Sequence, residues 1–376
     1  MENYNTFIGM DVHARSIICK GLNVKTGECF NRDFRNCPTP TDLANWIKSL
    51  PQPVYCAYES GCTGFYLARE LREAGIDCDV IAVSTLARST KDKFTKCDKI
   101  DANVILKEIS SPYKTYSVVW IPDEETEADR DIARLLQQTT NDLVRAKQKL
   151  TFFLMRNEYV WNEKTKSGSI KHKWTRSHWN WINSITFKQN QKNTTLNYYI
   201  NHIKTLEKMV KEIKKDIKNL AESNENVKLV AGLMQCRGID LINSFLIKSE
   251  IGDFNRFKSG RKVTSWVGLN PKNNSSGEKE IHGKITKDGN KYVRRALTEG
   301  LSAICCWNSP FKSCTQYKDY CSVATLQNAN NANIRVLDKY KRLVDENKKH
   351  HNKAKIAAAN ELIKWIWIIG KEIQNA

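Results

Sequence analysis

The sequence predicts an α/β amino-terminal domain on a mixed sheet, then a long helical arm and a mainly α-helical carboxy-terminal region. Three observations carry this reading. Short apolar runs alternate with helical segments over residues 1–120, amphipathic helical spacing takes over from residue 124, and glycine-marked turns return over 226–310.

Residues 6–12 (TFIGMDV), 16–23 (SIICKGLN) and 28–34 read as three short strands, with Lys25, Thr26 and Gly27 turning the second into the third as an antiparallel meander. A helix is expected over 41–50, a buried strand at 54–58 (VYCAY), a helix over 65–74, a strand at 78–83 and a helix over 98–109. Alternation of this kind implies a mixed sheet with covered faces. Residues 1–120 form this first domain.

Residues 121–225 are expected to form the arm. In 124–159, Ile132, Leu135, Leu136, Leu143, Val144 and Leu150 recur at helical spacing among charges, and 196–220 is a second such stretch rich in Lys and Glu. The two either pair as an antiparallel coiled coil or pack as ordinary amphipathic helices on a core. Between them, 161–182 interleaves Trp161, Trp174, Trp179 and Trp181 with Lys164, Lys166, Lys171, Lys173 and Arg176. Exposed, this mixture suits base stacking and phosphate contact; buried, the tryptophans are a small hydrophobic cluster. Residues 226–310 form a unit of repeated tight turns, and 311–376 a final helical region whose 348–355 segment reads as a solvated loop or helix end.

The chain carries 60 Lys and Arg against 41 acidic residues, a formal charge of +19 over 376 residues. That excess suits a polyanionic partner, nucleic acid above all. Residues 1–120 hold 15 basic and 14 acidic side chains, so nearly all of the excess lies beyond them. A balanced first region can hold acidic groups together while a basic second region grips phosphate. The 12 cysteines show no CxxC pair or Cys/His cluster at zinc spacing, which points to reduced thiols. No segment is apolar for long enough to span a bilayer, and no secretion signal is evident, so a cytoplasmic, nucleoid-associated protein without a membrane partner is expected.

Asp11 directly follows the apolar run 6–10, and Glu59 follows 54–58, which puts each carboxylate at the end or edge of a strand. A carboxylate there must be paired, solvated or metal-bound, because burying it alone costs several kcal/mol or more. Asp98 and Asp101 stand three apart at the start of the 98–109 helix and so share a face. By themselves they also suit a helix N-cap and first turn. The whole set, two carboxylates after strands and two on a helix, is the way hard-cation sites for phosphate chemistry are assembled. The expected cofactor is Mg2+ or Mn2+.

Asp11 in IGMD, Glu59 in AYESGCTGFYLARELREAG and the pair in KCDKIDA resemble the amino-terminal half of the DEDD transposases of the insertion-sequence-110 family. CRGID, EIGDFNRF, WVGLNPKNNSSGEKEIHGKITKDGN and VRRAL are similar, in order, to that family's carboxy-terminal transposase domain, and DEETEADRD and WTRSHWNWI to intervening segments of one branch. The resemblance covers essentially the whole chain, and the motif over 266–290 is its most specific part. It implies an RNase H/RuvC-like first domain, metal-binding carboxylates at Asp11, Glu59, Asp98 and Asp101, and a serine nucleophile at Ser276. It further implies donor and target DNA and a structured noncoding bridge RNA as partners. Composite sites would be built in a dimer or tetramer of the chain, and the serine would join covalently to DNA. Two positions depart from the pattern: Cys97 stands where Thr or Asn is commoner, and Asp240 replaces a Gly, which puts a standard hairpin turn at 237–241 in doubt.

On local sequence alone, a Ser before Gly in an Asn/Ser-rich loop is a turn residue. Lys272, Lys279, Lys284, Lys287, Arg294 and Arg295 change its setting, since they can hold a scissile phosphate and stabilise its transition state. Ser275 is the local rival; Ser276 directly precedes Gly277, as in the family motif. A site-specific invertase of the same architecture, a hydrolytic RuvC-like nuclease using only the carboxylates, and a non-catalytic nucleic-acid-binding protein remain alternatives.

Overall fold

The structure is a computed structural model that describes residues 4–86, 98–276, 279–307, 309–310 and 317–376; the side chains of 98–100 and 273–282 also lie outside the description. It divides into two compact units, Met1–Asp123 and Glu124–Ala376. Cys97 and Gly277 lie outside the described residues.

The first unit is a five-stranded sheet in the order β3-β2-β1-β4-β5. Strands β1 (Thr6–Val12), β2 (Ile17–Asn23) and β3 (Cys29–Phe34) form the expected antiparallel meander, and β4 (Val54–Glu59) and β5 (Asp77–Ile81) add to β1 in parallel. Helices α1 (Pro40–Lys48) and α2 (Tyr66–Glu73) supply the crossovers that parallel strands require. Thr39 starts α1 with a full capping box: its hydroxyl accepts from the Asp42 N–H, and the Asp42 carboxylate accepts from the Thr39 N–H. Alternation along β1 sends Ile8 and Met10 into a core with Leu43, Ile47, Leu67 and Leu71, while Phe7 joins Ala57, Ile105, Leu106 and Ile109 on the other face. The helix α3 (Asp98–Ser110) therefore covers that second face.

Gly9 sets how closely α3 approaches. A Cβ at Gly9 would stand 2.3 Å from the Ala102 carbonyl oxygen and 2.4 Å from the Leu106 nitrogen. Helix backbone thus rests directly on strand backbone, a contact only glycine permits.

The second unit opens with α4 (Glu124–Met155), which pairs with α6 (Asn190–Ala221); each has 32 residues, or roughly 48 Å of helix. The pairing is antiparallel: Ala133 and Leu136 share a core with Ile213, Ile217 and Ala221, whereas Leu150 and Phe153 share another with Leu196, Ile200 and Ile203. Lys147 meets Glu207 across the pair at 2.6 Å. The first of these cores continues through the carboxy-terminal helices to Ile369, so the base of the arm and everything after it share one apolar interior.

The tryptophan segment lies at the far end of the arm, and its rings pack mainly on one another. Trp161 is buried and donates its indole N–H to the Lys171 carbonyl at 2.9 Å. The short helix α5 (Arg176–Ser184) carries His178, which is buried between Trp161, Trp174 and Trp181 and stacked on Trp181 at 5.5 Å. The cluster reading of these tryptophans is the one that the packing supports. His178 Nδ1 accepts the Trp174 N–H at 3.0 Å, which fixes the ring in its neutral form.

Helices α7 (Val227–Met234) and α8 (Leu241–Ile251) follow. Asp240, the departure noted above, is the N-cap of α8, its Oδ1 accepting from the Asn243 N–H at 2.8 Å. Helix α9 (Gly260–Val267), a two-stranded hairpin of β6 (Pro271–Ser276) and β7 (Lys279–Ile285), and α10 (Lys291–Gly300) come next. Helices α11 (Val323–Asp345) and α12 (His351–Gln374) pack on each other and complete the unit. Among the described residues no helix is long and apolar enough to cross a membrane, and each described cysteine is a free thiol.

Burial lowers the His178 pKa from the ordinary 6.5 to about 4, with the Lys173 charge adding to the effect. The folded pKa lies below the unfolded one, so the unfolded chain binds the extra proton as pH falls between about 6.5 and about 4, and stability is lost across that window. Thermal midpoints of the full chain at pH 7 and pH 4.5 are expected to differ less in His178→Phe than in the wild type.

Candidate active site

The first unit places two of the four carboxylates side by side. Met10 of β1 is in register with Tyr58 of the parallel strand β4, so Asp11 and Glu59, one residue further along each, end adjoining strands at one level. Both continue the alternation of Phe7, Gly9 and Ala57, so both belong to the face that α3 covers. Asp11 is 16% exposed, and Glu59 is half-buried.

Helix α3 supplies the other two. It begins at Asp98, whose side chain lies outside the described residues, and Asp101 is half-buried one turn later. Ala102, directly after Asp101, is the residue whose carbonyl rests on Gly9. The contact that seats the helix therefore lies beside its acidic first turn. After Glu59 the chain is held by the Ser60 N–H donating to the Ile81 carbonyl at 2.8 Å, and by the Tyr58 hydroxyl donating to the Gly64 carbonyl at 3.0 Å.

Asp11, Glu59 and Asp101 are carboxylates partly open to solvent, a donor chemistry that suits a hard divalent cation keeping several waters. Among the described residues no three His, Cys, Asp or Glu side chains stand close enough to enclose a metal ion. The sequence did not single out His13. Its Nε2 lies 3.2 Å from Asp11 Oδ2, and the i, i+2 spacing of two polar residues at a strand end is the signal that would have found it.

Ser276 belongs to the second unit. It is the last residue of β6 and pairs with Lys279 across the hairpin, while Ser275 pairs with Glu280. The side chains of Ser275, Ser276 and Lys279 lie outside the described residues. The base of this hairpin is tightly specified. Gly268 ends α9 in a left-handed conformation, and a Cβ there would meet the Asp288 carbonyl oxygen at 2.4 Å. A Cβ at Gly289 would meet the Trp266 carbonyl oxygen at 2.1 Å. The two chains leaving the hairpin thus cross in backbone contact, joined by the Asn290 N–H donating to Trp266 O at 2.8 Å and the Thr286 N–H to Asn270 O at 2.9 Å.

Asn290 links this base to the arm. Its Oδ1 caps α10 by accepting from the Tyr292 and Val293 N–H groups, and its Nδ2 donates to Glu250 Oε2 at 2.7 Å. The buried Glu250 carboxylate also receives both prongs of the Arg134 guanidinium, at 2.6 and 2.8 Å, and this pairing raises the Arg134 pKa above its ordinary value. Arg130 donates to the Ser249 and Glu250 carbonyls at 2.7 and 2.9 Å. Sequence reasoning missed this network.

Of the six basic residues proposed around the serine, Lys279 has a side chain outside the described residues, and the other five fall into two groups. Lys272, Lys284 and Lys287 are exposed, with Lys287 at positive φ in the turn that leaves the hairpin. Arg294 donates to the Val267 carbonyl at 2.7 Å, and Arg295 binds Glu299 at 2.6 Å and Asn141 at 2.8 Å. These two arginines brace the hairpin base and the arm, and each has N–H groups beyond those contacts.

Fold and sites together describe a basic protein with an acidic sheet-end cluster in one unit and a buttressed serine hairpin in the other. Residues 230–316 match the family model described as Transposase IS116/IS110/IS902 family. The transposase for insertion sequence element IS1533 from Leptospira borgpetersenii is 30% identical over 267 residues, covering 69% of this chain and 74% of the relative. Putative transposase y4qE from Sinorhizobium fredii is 28% identical over 327 residues, 86% of this chain and 76% of the relative. A probable family 20 transposase from Pseudomonas aeruginosa is 25% identical over 274 residues, 71% of this chain and 76% of the relative. The chain belongs to the IS116/IS110/IS902 family of transposases.

Asn290→Ala removes both the α10 cap and one donor to Glu250. It is expected to destabilise the chain by about 1–2 kcal/mol, read as a lowered midpoint in urea unfolding, with Asn290→Asp retaining the cap but placing a second carboxylate against Glu250.

Proposed function

We propose that this transposase cuts and rejoins DNA at the ends of an insertion sequence by phosphodiester transesterification, with Ser276 as nucleophile and with Asp11, Glu59, Asp98 and Asp101 as ligands for Mg2+ or Mn2+. The observation that carries the reading is the adjacency of Asp11 and Glu59 at the ends of parallel neighbours, on the face covered by the helix bearing Asp98 and Asp101. The strand order β3-β2-β1-β4-β5, antiparallel on one side of β1 and parallel on the other, supports an RNase H/RuvC-like first unit.

In the first step the Ser276 hydroxyl oxygen attacks the scissile phosphorus, a P–O bond to deoxyribose breaks, and the departing sugar oxygen takes up the proton that the serine gives up. One phosphoester replaces another, so the linkage stays activated for rejoining. Attack by a second deoxyribose hydroxyl on the serine-linked phosphorus reverses the exchange and frees the serine. A bound divalent ion supplies Lewis-acid stabilisation of charge on the phosphate oxygens. Lys272, Lys279, Lys284, Lys287, Arg294 and Arg295 hold the phosphate by charge and N–H donors.

Sequence choice is assigned to base pairing. A structured noncoding bridge RNA pairs with donor and target DNA, and the strongly basic second unit holds both nucleic acids by their backbones. A dimer or tetramer of the chain brings the carboxylates of one protomer to the serine of another.

The test is an excision-and-insertion assay with the cognate element, its RNA and a target plasmid. Asp11→Asn and Ser276→Ala are each expected to lower insertion by at least about 100-fold, the scale on which single transition-state groups act. Full insertion by Ser276→Ala would refute the serine as nucleophile, and full insertion without RNA would refute guidance.

A further inference from the structure

We infer that a stripe of five lysines along the outer face of α6, Lys204, Lys208, Lys211, Lys215 and Lys218, is a docking surface for the phosphate backbone of duplex DNA. The inference rests on the reading above that the basic second unit holds nucleic acid by its backbone, and it assigns a place to that grip. The lysines stand four, three, four and three positions apart, which at about 100° per residue gathers them within about 80° of arc. All five are exposed. Ile203, Leu206, Ile213 and Ile217 are buried in the two apolar cores that α6 shares with α4, so the stripe lies away from the seam.

Such a pattern is costly for a helix that meets only water. A solvated face gains from opposite charges at i, i+4, whereas like charges there repel. Each lysine of the stripe has another three or four positions away. Acidic relief is slight. Lys208 and Lys218 reach Glu212 and Glu222 at 3.8 Å, exposed pairs that contribute little. Glu207, which flanks the stripe, is taken by Lys147 of α4 at 2.6 Å. Among the described residues Lys204, Lys211 and Lys215 form no ion pair.

A polyanion turns this repulsion into binding. From Lys204 to Lys218 the helix rises about 21 Å, a length over which one strand of duplex DNA presents about six phosphates. Five ammonium groups therefore come close to the charge density of a single DNA strand. Residues 204–218 contain no aromatic side chain and so offer no stacking platform of the kind that single strands use. Lysine has no hydrogen-bond acceptor for the 2′-hydroxyl that sets RNA apart. The surface suits a sequence-independent grip on duplex DNA, driven by counterion release.

The test measures binding of the full-length protein to a duplex DNA of arbitrary sequence and to a duplex RNA of the same length, each over a series of salt concentrations. For wild type, the logarithm of the affinity for DNA is expected to fall linearly with the logarithm of salt concentration. The triple variant Lys204→Gln/Lys211→Gln/Lys215→Gln is expected to flatten that slope by roughly 2–3, at about 0.9 per phosphate contact, and to bind DNA at least about 10-fold more weakly at low salt. Its thermal midpoint is expected to equal or exceed that of the wild type, because like-charged neighbours are removed; weaker binding is then not a loss of fold. Lys348→Gln/Lys349→Gln/Lys353→Gln removes the same charge from an exposed segment outside the arm and is expected to leave the slope close to the wild-type value. An unchanged DNA slope in the α6 variant, an equal change in both variants, or a loss confined to duplex RNA overturns the inference and leaves the broader reading standing. Wild-type binding to both duplexes that ignores salt would instead overturn that broader reading, and the stripe with it.

Discussion

The buried carboxylate of Glu250 is the constraint around which the larger unit is arranged. A charge at 1% exposure is tolerable only if its oxygens are fully engaged, and here Arg134 from the arm and Asn290 from the hairpin base both reach it. The same contacts fix geometry: Asn290 also caps α10 and bonds to Trp266, so the arm, α8 and the serine hairpin share one anchor. A two-stranded hairpin needs such a base, since an isolated hairpin has little stability of its own.

The first unit solves the corresponding problem with backbone. Gly9 lets α3 sit against β1 with no side chain between them, so the acidic first turn of the helix is tied to the strand that carries Asp11. Two carboxylates at the ends of adjacent parallel strands repel each other, a cost that the proposed cation would offset. Rigid supports at both sets of residues suit a reaction whose catalysis is mostly positioning and charge stabilisation.

Much of this was legible in the sequence, for physical reasons that differ by region. In the first unit each strand alternates or runs apolar over a length close to that observed: 54–58 against Val54–Glu59, and 28–34 against Cys29–Phe34. The helical period likewise marked both long arm helices, although α4 ends earlier than expected, at Met155, and α6 begins earlier, at Asn190. The apolar positions left open whether these helices pair with each other or pack on a core, and in the structure they do both. What stayed hidden depends on pairing at long range: Glu250 meets residues 116 and 40 positions away, and neither spacing leaves a periodic trace. Asp240 looked like a disturbed turn because a family glycine was missing, whereas the structure uses it as a cap. The tryptophan segment was ambiguous because packing around a buried histidine and stacking on bases call for the same residue types.

The central claim is that the acidic site and Ser276 act on one phosphodiester through a covalent intermediate. Its most direct measurement is to incubate the full-length protein and its RNA with end-labelled element DNA and Mg2+, then denature and look for DNA joined to protein. The account expects a denaturation-resistant adduct that is lost in Ser276→Ala and on chelation of the metal. Cut DNA with free ends and no adduct, or an adduct that persists in Ser276→Ala, would contradict it.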